Sequence, residues 1–140
     1  MKISKQLLAI LITSSIGLVS CGGGVKSAPS LVGTHWQLSS VNGSTLSKRL
    51  SKRITLSFHP KRASGSAGCN RYFSNYKLSG SNSVSFRGIG STKMLCKPRF
   101  MKAERKFLSA LRNANSYRLS NGALFIKGTG RVGVLKFVRP

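Results

Sequence analysis

Strict alternation of apolar and polar residues over short runs constrains this chain more than any other feature. In Ile54-Thr55-Leu56-Ser57-Phe58 every second side chain is apolar. A β-strand sends successive side chains to opposite faces, so such a run buries one face and wets the other. Ser83-Val84-Ser85-Phe86, Leu124-Phe125-Ile126-Lys127 and Val134-Leu135-Lys136-Phe137-Val138 read the same way, and Trp36-Gln37-Leu38 and Tyr76-Lys77-Leu78 add two shorter cases. Asn42-Gly43, Ser79-Gly80, Asn121-Gly122 and Gly128-Thr129-Gly130 separate them as turn signals. Short strands at this spacing predict a mainly β (α+β) fold, a small antiparallel open barrel or sandwich.

One segment departs from period two. Across residues 99–115, at about 100° per residue, Phe100, Ala103, Phe107, Leu108, Leu111 and Ala114 share one arc. Arg99, Lys102, Arg105, Lys106 and Arg112 share the opposite one. Pro98 precedes them, as proline does at helix starts. The segment predicts one amphipathic helix of about four turns packed on or plugging the sheet. Glu104 is out of place in it, because it lies in the apolar arc with no Lys or Arg three or four positions away. Two readings stay open. Glu104 is a border residue favoured by the helix dipole, or it is a structural anchor facing the sheet, with Arg71 the expected partner, since buried charges persist only when paired.

Residues 1–21 have the layout of an export signal: Lys2 and Lys5, an apolar stretch over 7–19, then Leu18-Val19-Ser20-Cys21. The apolar stretch is shorter than the about 20 residues a spanning helix needs. Its last four residues have the form of a bacterial lipobox, in which the cysteine is lipidated and becomes the first mature residue. The expected organisation is a lipoprotein signal peptide over 1–20, a lipidated Cys21 with a flexible tether over 21–30, and one domain over 31–140. Two or more acyl chains anchor stably, at roughly 0.8 kcal/mol per buried CH₂. Gly22 rather than Asp follows Cys21, which favours the outer membrane, facing the periplasm.

Four motifs occur in order: Trp36 and Leu38 as W-x-L; Gly65 to Tyr72 as G-x-x-G-C-N-R-Y; Thr92 to Cys96 as T-K-M-x-C; and Glu104 to Leu111 as E-x-x-F-L-x-x-L. In this order they resemble the META domain of HslJ-like bacterial lipoproteins over residues 31–138. The resemblance implies a mainly β fold with a helix, an open or cracked small barrel. Many members of that family carry acids scattered over their surfaces, whereas this chain keeps only Glu104.

Cys69 and Cys96 are the two cysteines of the expected domain. Exported thiol pairs meet an oxidising compartment, so a Cys69–Cys96 disulfide is one expectation and two buried thiols the other. Closing a loop of about 28 residues adds roughly 3–4 kcal/mol in the chain-entropy model. No metal site is expected: there is no C-x-x-C, and His35 and His59 stand alone. Paired-acid hydrolysis and a Ser-His-Asp triad both need carboxylates that one acid cannot supply. Gly88-Ile89-Gly90 and Gly128-Thr129-Gly130 lack the strand-to-helix setting of a phosphate loop. The protein is expected to be no enzyme and to hold no cofactor.

Charge supplies the functional expectation. Twenty-four Lys and Arg stand against one acid, a formal net charge of +23, and such a surface attracts polyanions at long range. Lys48-Arg49 and Lys52-Arg53, with Lys102, Arg105, Lys106 and Arg112 on the helix, form the candidate polyanion-binding set. Expected ligands are anionic envelope components such as acidic lipid head groups or lipopolysaccharide phosphates, with a contribution to envelope stress tolerance as a further role. A structural domain adapted to an acidic exterior and a surface nucleic-acid binder are the alternatives. Nucleic acid is the weaker partner, because the aromatics fall mostly on core-facing strand positions rather than on a stacking platform.

Overall fold

Asn42-Gly43 and Asn121-Gly122 take positive φ at both residues, 52° and 78° in the first pair and 50° and 72° in the second. That is the backbone of a two-residue hairpin turn whose twist matches its strands. The first joins β1 (His35–Val41) to β2 (Ser44–Thr45), and the second joins β7 (Ala114–Ser120) to β8 (Ala123–Gly128). Between them run α1 (Lys48–Ser51), β3 (Thr55–Phe58), β4 (Arg62–Ser66), β5 (Arg71–Ser79), β6 (Ser83–Ser91) and α2 (Pro98–Arg112), and β9 (Val134–Val138) follows β8. This computed structural model describes residues 30–129 and 133–140. The expected signal peptide, the lipobox with Cys21 and residues 22–29 of the tether lie outside the described residues.

All strand neighbours are antiparallel, in the order β2-β1-β3-β4-β5-β6-β7-β8-β9, and β1 also pairs with β9. Gln37 to Val41 lie opposite Val138 to Leu135, with a bulge between Leu38 and Ser40. The sheet is therefore a closed eight-stranded barrel with β2 as a ninth, added strand. The mainly β fold with one amphipathic helix is as expected, but the barrel is closed rather than open. Closure pairs edges that an open sheet would leave unsatisfied. Its weakest seam is β6–β7, joined through a single register pair, Ser83 with Ser116, where α2 packs against β6.

The helix is a plug. Phe107 meets the Tyr72 ring at 5.4 Å and the Phe137 ring at 6.3 Å. These rings stand on β5 and β9, four places apart in a ring of eight, so Phe107 bridges opposite walls. Trp36, Leu38, Leu56, Phe58, Val84, Leu124, Ile126, Leu135 and Phe137 point inward from the strands and are buried. The alternation recognised in the sequence is thus the inner face of the barrel. Buried Ser74 sits at a bulge in β5, where its hydroxyl donates to the carbonyl of Arg87 at 3.0 Å.

Two segments differ from expectation. β4 offers only Ala63 among Arg62, two serines and Gly65, which carry no hydrophobic alternation. The helix ends at Arg112 with Asn113 as its C-cap, so Ala114 is the first residue of β7 and not the last of the helical arc.

Candidate functional site

Three of the four motifs, Gly65 to Tyr72, Thr92 to Cys96 and the helix motif that begins at Glu104, meet in one cluster. Gly68 takes φ +112°, a conformation that favours glycine, and turns β4 into Cys69 and Asn70. Cys69 and Cys96 are joined by a disulfide, with Cα atoms 5.9 Å apart. Asn70 is buried and uses both ends of its amide. Its Oδ1 accepts from the Thr92 hydroxyl at 2.9 Å and the Met94 N–H at 2.7 Å. Its Nδ2 donates to Glu104 Oε1 at 2.9 Å, and its backbone N–H donates to Glu104 Oε2 at 2.6 Å. Thr92 Oγ1 in turn accepts from the Arg71 N–H at 3.2 Å.

Glu104 therefore faces the sheet as an anchor, but its partner is Asn70 and not Arg71. Arg71 is exposed on β5. Two N–H donors satisfy a carboxylate without a countercharge, and hydrogen bonds to an ionised acceptor are the strong kind. Tyr72 completes the cluster by donating its hydroxyl to the Thr55 carbonyl at 2.9 Å, and burial pushes its phenol pKa up. A Cβ on Gly65 would fall 2.2 Å from that same carbonyl oxygen. Gly65, Gly68, Cys69, Asn70, Tyr72, Thr92, Cys96 and Glu104 all hold the fold, so the motif constellation forms a structural clamp.

The cationic set gathers elsewhere. Ser51 in α1 is buried, donating to the Leu38 carbonyl at 2.6 Å and accepting from Gln37 Nε2 at 2.9 Å, which fixes α1 against β1. The Arg53 and Arg99 guanidinium carbons lie 4.6 and 4.7 Å from the centroid of the Phe100 ring. Arg49 and Arg99 border one small recess. Lys102 and Lys106, with Arg99, border a larger cleft of about 430 Å³ between α2 and the β1–β2 hairpin. Lys48, Lys52, Arg105 and Arg112 are exposed but line neither cavity. The helical arc divides because Arg99, Lys102 and Lys106 sit at i, i+3 and i+7, on one side, while Arg105 and Arg112 point about a quarter-turn away.

Arg99 belongs to this group although it stands outside the candidate set read from the sequence. Its place on the basic arc was the available signal. The apolar half of the cleft is contributed by residues far apart in the chain, including Leu46, Leu50 and Phe107. A second basic patch lies at the β3–β4 turn, where the Arg62 guanidinium carbon is 5.4 Å from the centroid of the half-exposed Phe73 ring. His35 Nδ1 and His59 Nε2 hydrogen-bond Ser57 and Ser64 at 2.8 and 3.1 Å. Among the described residues no three His, Cys, Asp or Glu side chains are grouped to hold a metal.

Three solved structures share the architecture. An NMR structure of a protein from Burkholderia xenovorans is 26% identical with a TM-score of 0.61, covering 79% of this chain and 83% of its own. A second NMR structure is also 26% identical, with a TM-score of 0.62 over 78% and 91%. A crystal structure of a DUF4847 family protein from Bacteroides vulgatus matches in fold at 14% identity, with a TM-score of 0.57 over 79% and 94%. No curated protein matches the chain. The family model of the META domain matches residues 29–139, nearly the whole described domain, and the chain belongs to the META domain family.

Proposed function

We propose that this is a non-enzymatic, lipid-anchored protein of the cell envelope, held at the outer membrane through Cys21, that binds anionic envelope components through the cationic face of α1 and α2. One observation carries the reading: the chain's single acidic side chain is turned inward onto Asn70. Nothing negative from a side chain therefore offsets Arg49, Arg53, Arg99, Lys102 and Lys106 on their shared face. Each such cation near an anionic leaflet contributes about 1 kcal/mol. The loop before α2 adds two exposed apolar side chains, Met94 and Leu95, between Lys93 and Lys97. A lipid-tethered domain of this kind is suited to hold phosphate-rich material against the membrane and so to support envelope stress tolerance.

Vesicle sedimentation tests the reading on the mature chain, residues 21–140 carrying Cys21→Ser, so that neither an acyl chain nor the apolar stretch 7–19 contributes. Binding to phosphatidylglycerol-containing vesicles, and none to phosphatidylcholine alone, is expected, weakening as salt rises. Lys102→Gln/Lys106→Gln should lower it about 30-fold, from roughly 2 kcal/mol lost. Salt-insensitive or absent binding supports a domain adapted to an acidic exterior. Preference for duplex DNA at equal salt supports nucleic-acid capture.

A further inference from the structure

The cleft beside α2 holds more than a polyanion surface needs. Its mouth is cationic, from Arg99, Lys102 and Lys106, and its wall is apolar, from Leu46, Leu50 and Phe107. The three cations are exposed and spaced along about two turns of helix, roughly 10 Å. Leu46 and Leu50 are only half-buried although they pack against the core cluster. The volume, about 430 Å³, lies in the range of small-molecule sites, which combine apolar walls with a few directing polar groups.

We propose that this cleft is a binding site for an anionic single-chain amphiphile of the alkyl phosphate or fatty acid class. The head group sits among Arg99, Lys102 and Lys106, and the chain lies against Leu46, Leu50 and Phe107. An inorganic anion would leave the apolar wall wet, and a neutral chain would leave three cations unengaged. Only a ligand with both parts satisfies both halves. The inference rests on the cationic face proposed above, because the three cations belong to both.

Calorimetry with the mature chain, residues 21–140 carrying Cys21→Ser, tests it, using octyl, decyl and dodecyl phosphate below their micelle concentrations. Affinity should rise up to about fourfold per added methylene as apolar surface is buried. Inorganic phosphate and a neutral octyl glucoside should each bind at least tenfold more weakly than octyl phosphate. Ala103→Trp, which fills the cleft from α2, should abolish the chain-length dependence and leave phosphatidylglycerol vesicle binding unchanged. Should that variant fail to fold, Leu46→Gln serves the same purpose, and the chain-length series on the parent chain stands by itself. Affinity independent of chain length, or undiminished in a folded Ala103→Trp, overturns the cleft and leaves the surface reading intact. Chain-length dependence without vesicle binding overturns the surface reading and leaves the cleft.

Discussion

Asn70 donates its backbone N–H and its side-chain amide to the two carboxylate oxygens of Glu104, at 2.6 and 2.9 Å. Glutamine at 104 would present an NH₂ to one of those donors, setting donor against donor at the buried Asn70. A buried donor left unsatisfied costs about 1–3 kcal/mol, and each kcal/mol lowers Tm by about 4–8 °C in a domain of this size. Glu104→Gln is thus expected to lower Tm by several degrees or more. Arg71→Ala should stay within about 0.5 kcal/mol of the parent. Thermal melts of the two variants separate Asn70 from Arg71 as the partner, and an unchanged Tm in Glu104→Gln would remove the anchor role.

The Cys69–Cys96 bond closes a span of 27 residues that contains β5 and β6. Its loss should cost roughly 3–4 kcal/mol by the entropy of the unfolded chain. Urea midpoints should fall together in Cys69→Ser/Cys96→Ser and in the dithiothreitol-treated parent. The barrel should nevertheless persist, because Asn70 still holds Thr92 and Met94 and closes the same end without the sulfurs. A parent midpoint unmoved by reductant would mean that the two thiols are not bonded in the purified protein.

The strands most legible in the sequence were those with large alternating side chains. The run 134–138 has the same limits as β9, and residues 54–58 differ from β3 by one position. β4 was hidden because Ala63, Gly65 and the serines around them carry no hydrophobic contrast. A helical wheel left the inward turn of Glu104 as one of two readings, and it did not give the donor. A wheel searches for a countercharge, while the structure satisfies the carboxylate with an amide and a backbone N–H. The cleft was illegible for another reason: Leu46 and Phe107 are brought together by barrel closure and helix docking, which no local pattern encodes.

Tyr72 makes a prediction in alkaline solution. Burial raises its pKa in the folded state, so the folded protein keeps a proton that the unfolded chain releases above about pH 10. Stability changes with pH as the difference in protons bound, unfolded minus folded, and that difference is negative there. This contribution is complete below about pH 10 and declines above it by about 1.4 kcal/mol per pH unit. Tyr72→Phe lacks the titration but also lacks the bond to Thr55. It should be less stable than the parent at pH 8, and the gap should close as pH rises past 10. Comparing the two proteins in urea at each pH cancels the pH effects they share. A constant gap from pH 8 to 11 would show that Tyr72 ionises freely in the fold.

Gly65 and Tyr72 both act on one carbonyl, that of Thr55, and so their effects should not add. A Cβ at position 65 would stand 2.2 Å from its oxygen and 2.8 Å from its carbon, so the Thr55 backbone itself would have to move. Gly65→Ala is therefore expected to destabilise by about 1–3 kcal/mol through overpacking. Displacing that backbone also removes the acceptor of the Tyr72 hydroxyl, 2.9 Å away. Part of the Tyr72→Phe loss is then already present in Gly65→Ala. In a double-mutant cycle the combined variant should be less destabilised than the sum of the two singles, by about 0.5 kcal/mol or more. Strict additivity in urea unfolding would mean that Thr55 stays in place and that β4 yields instead.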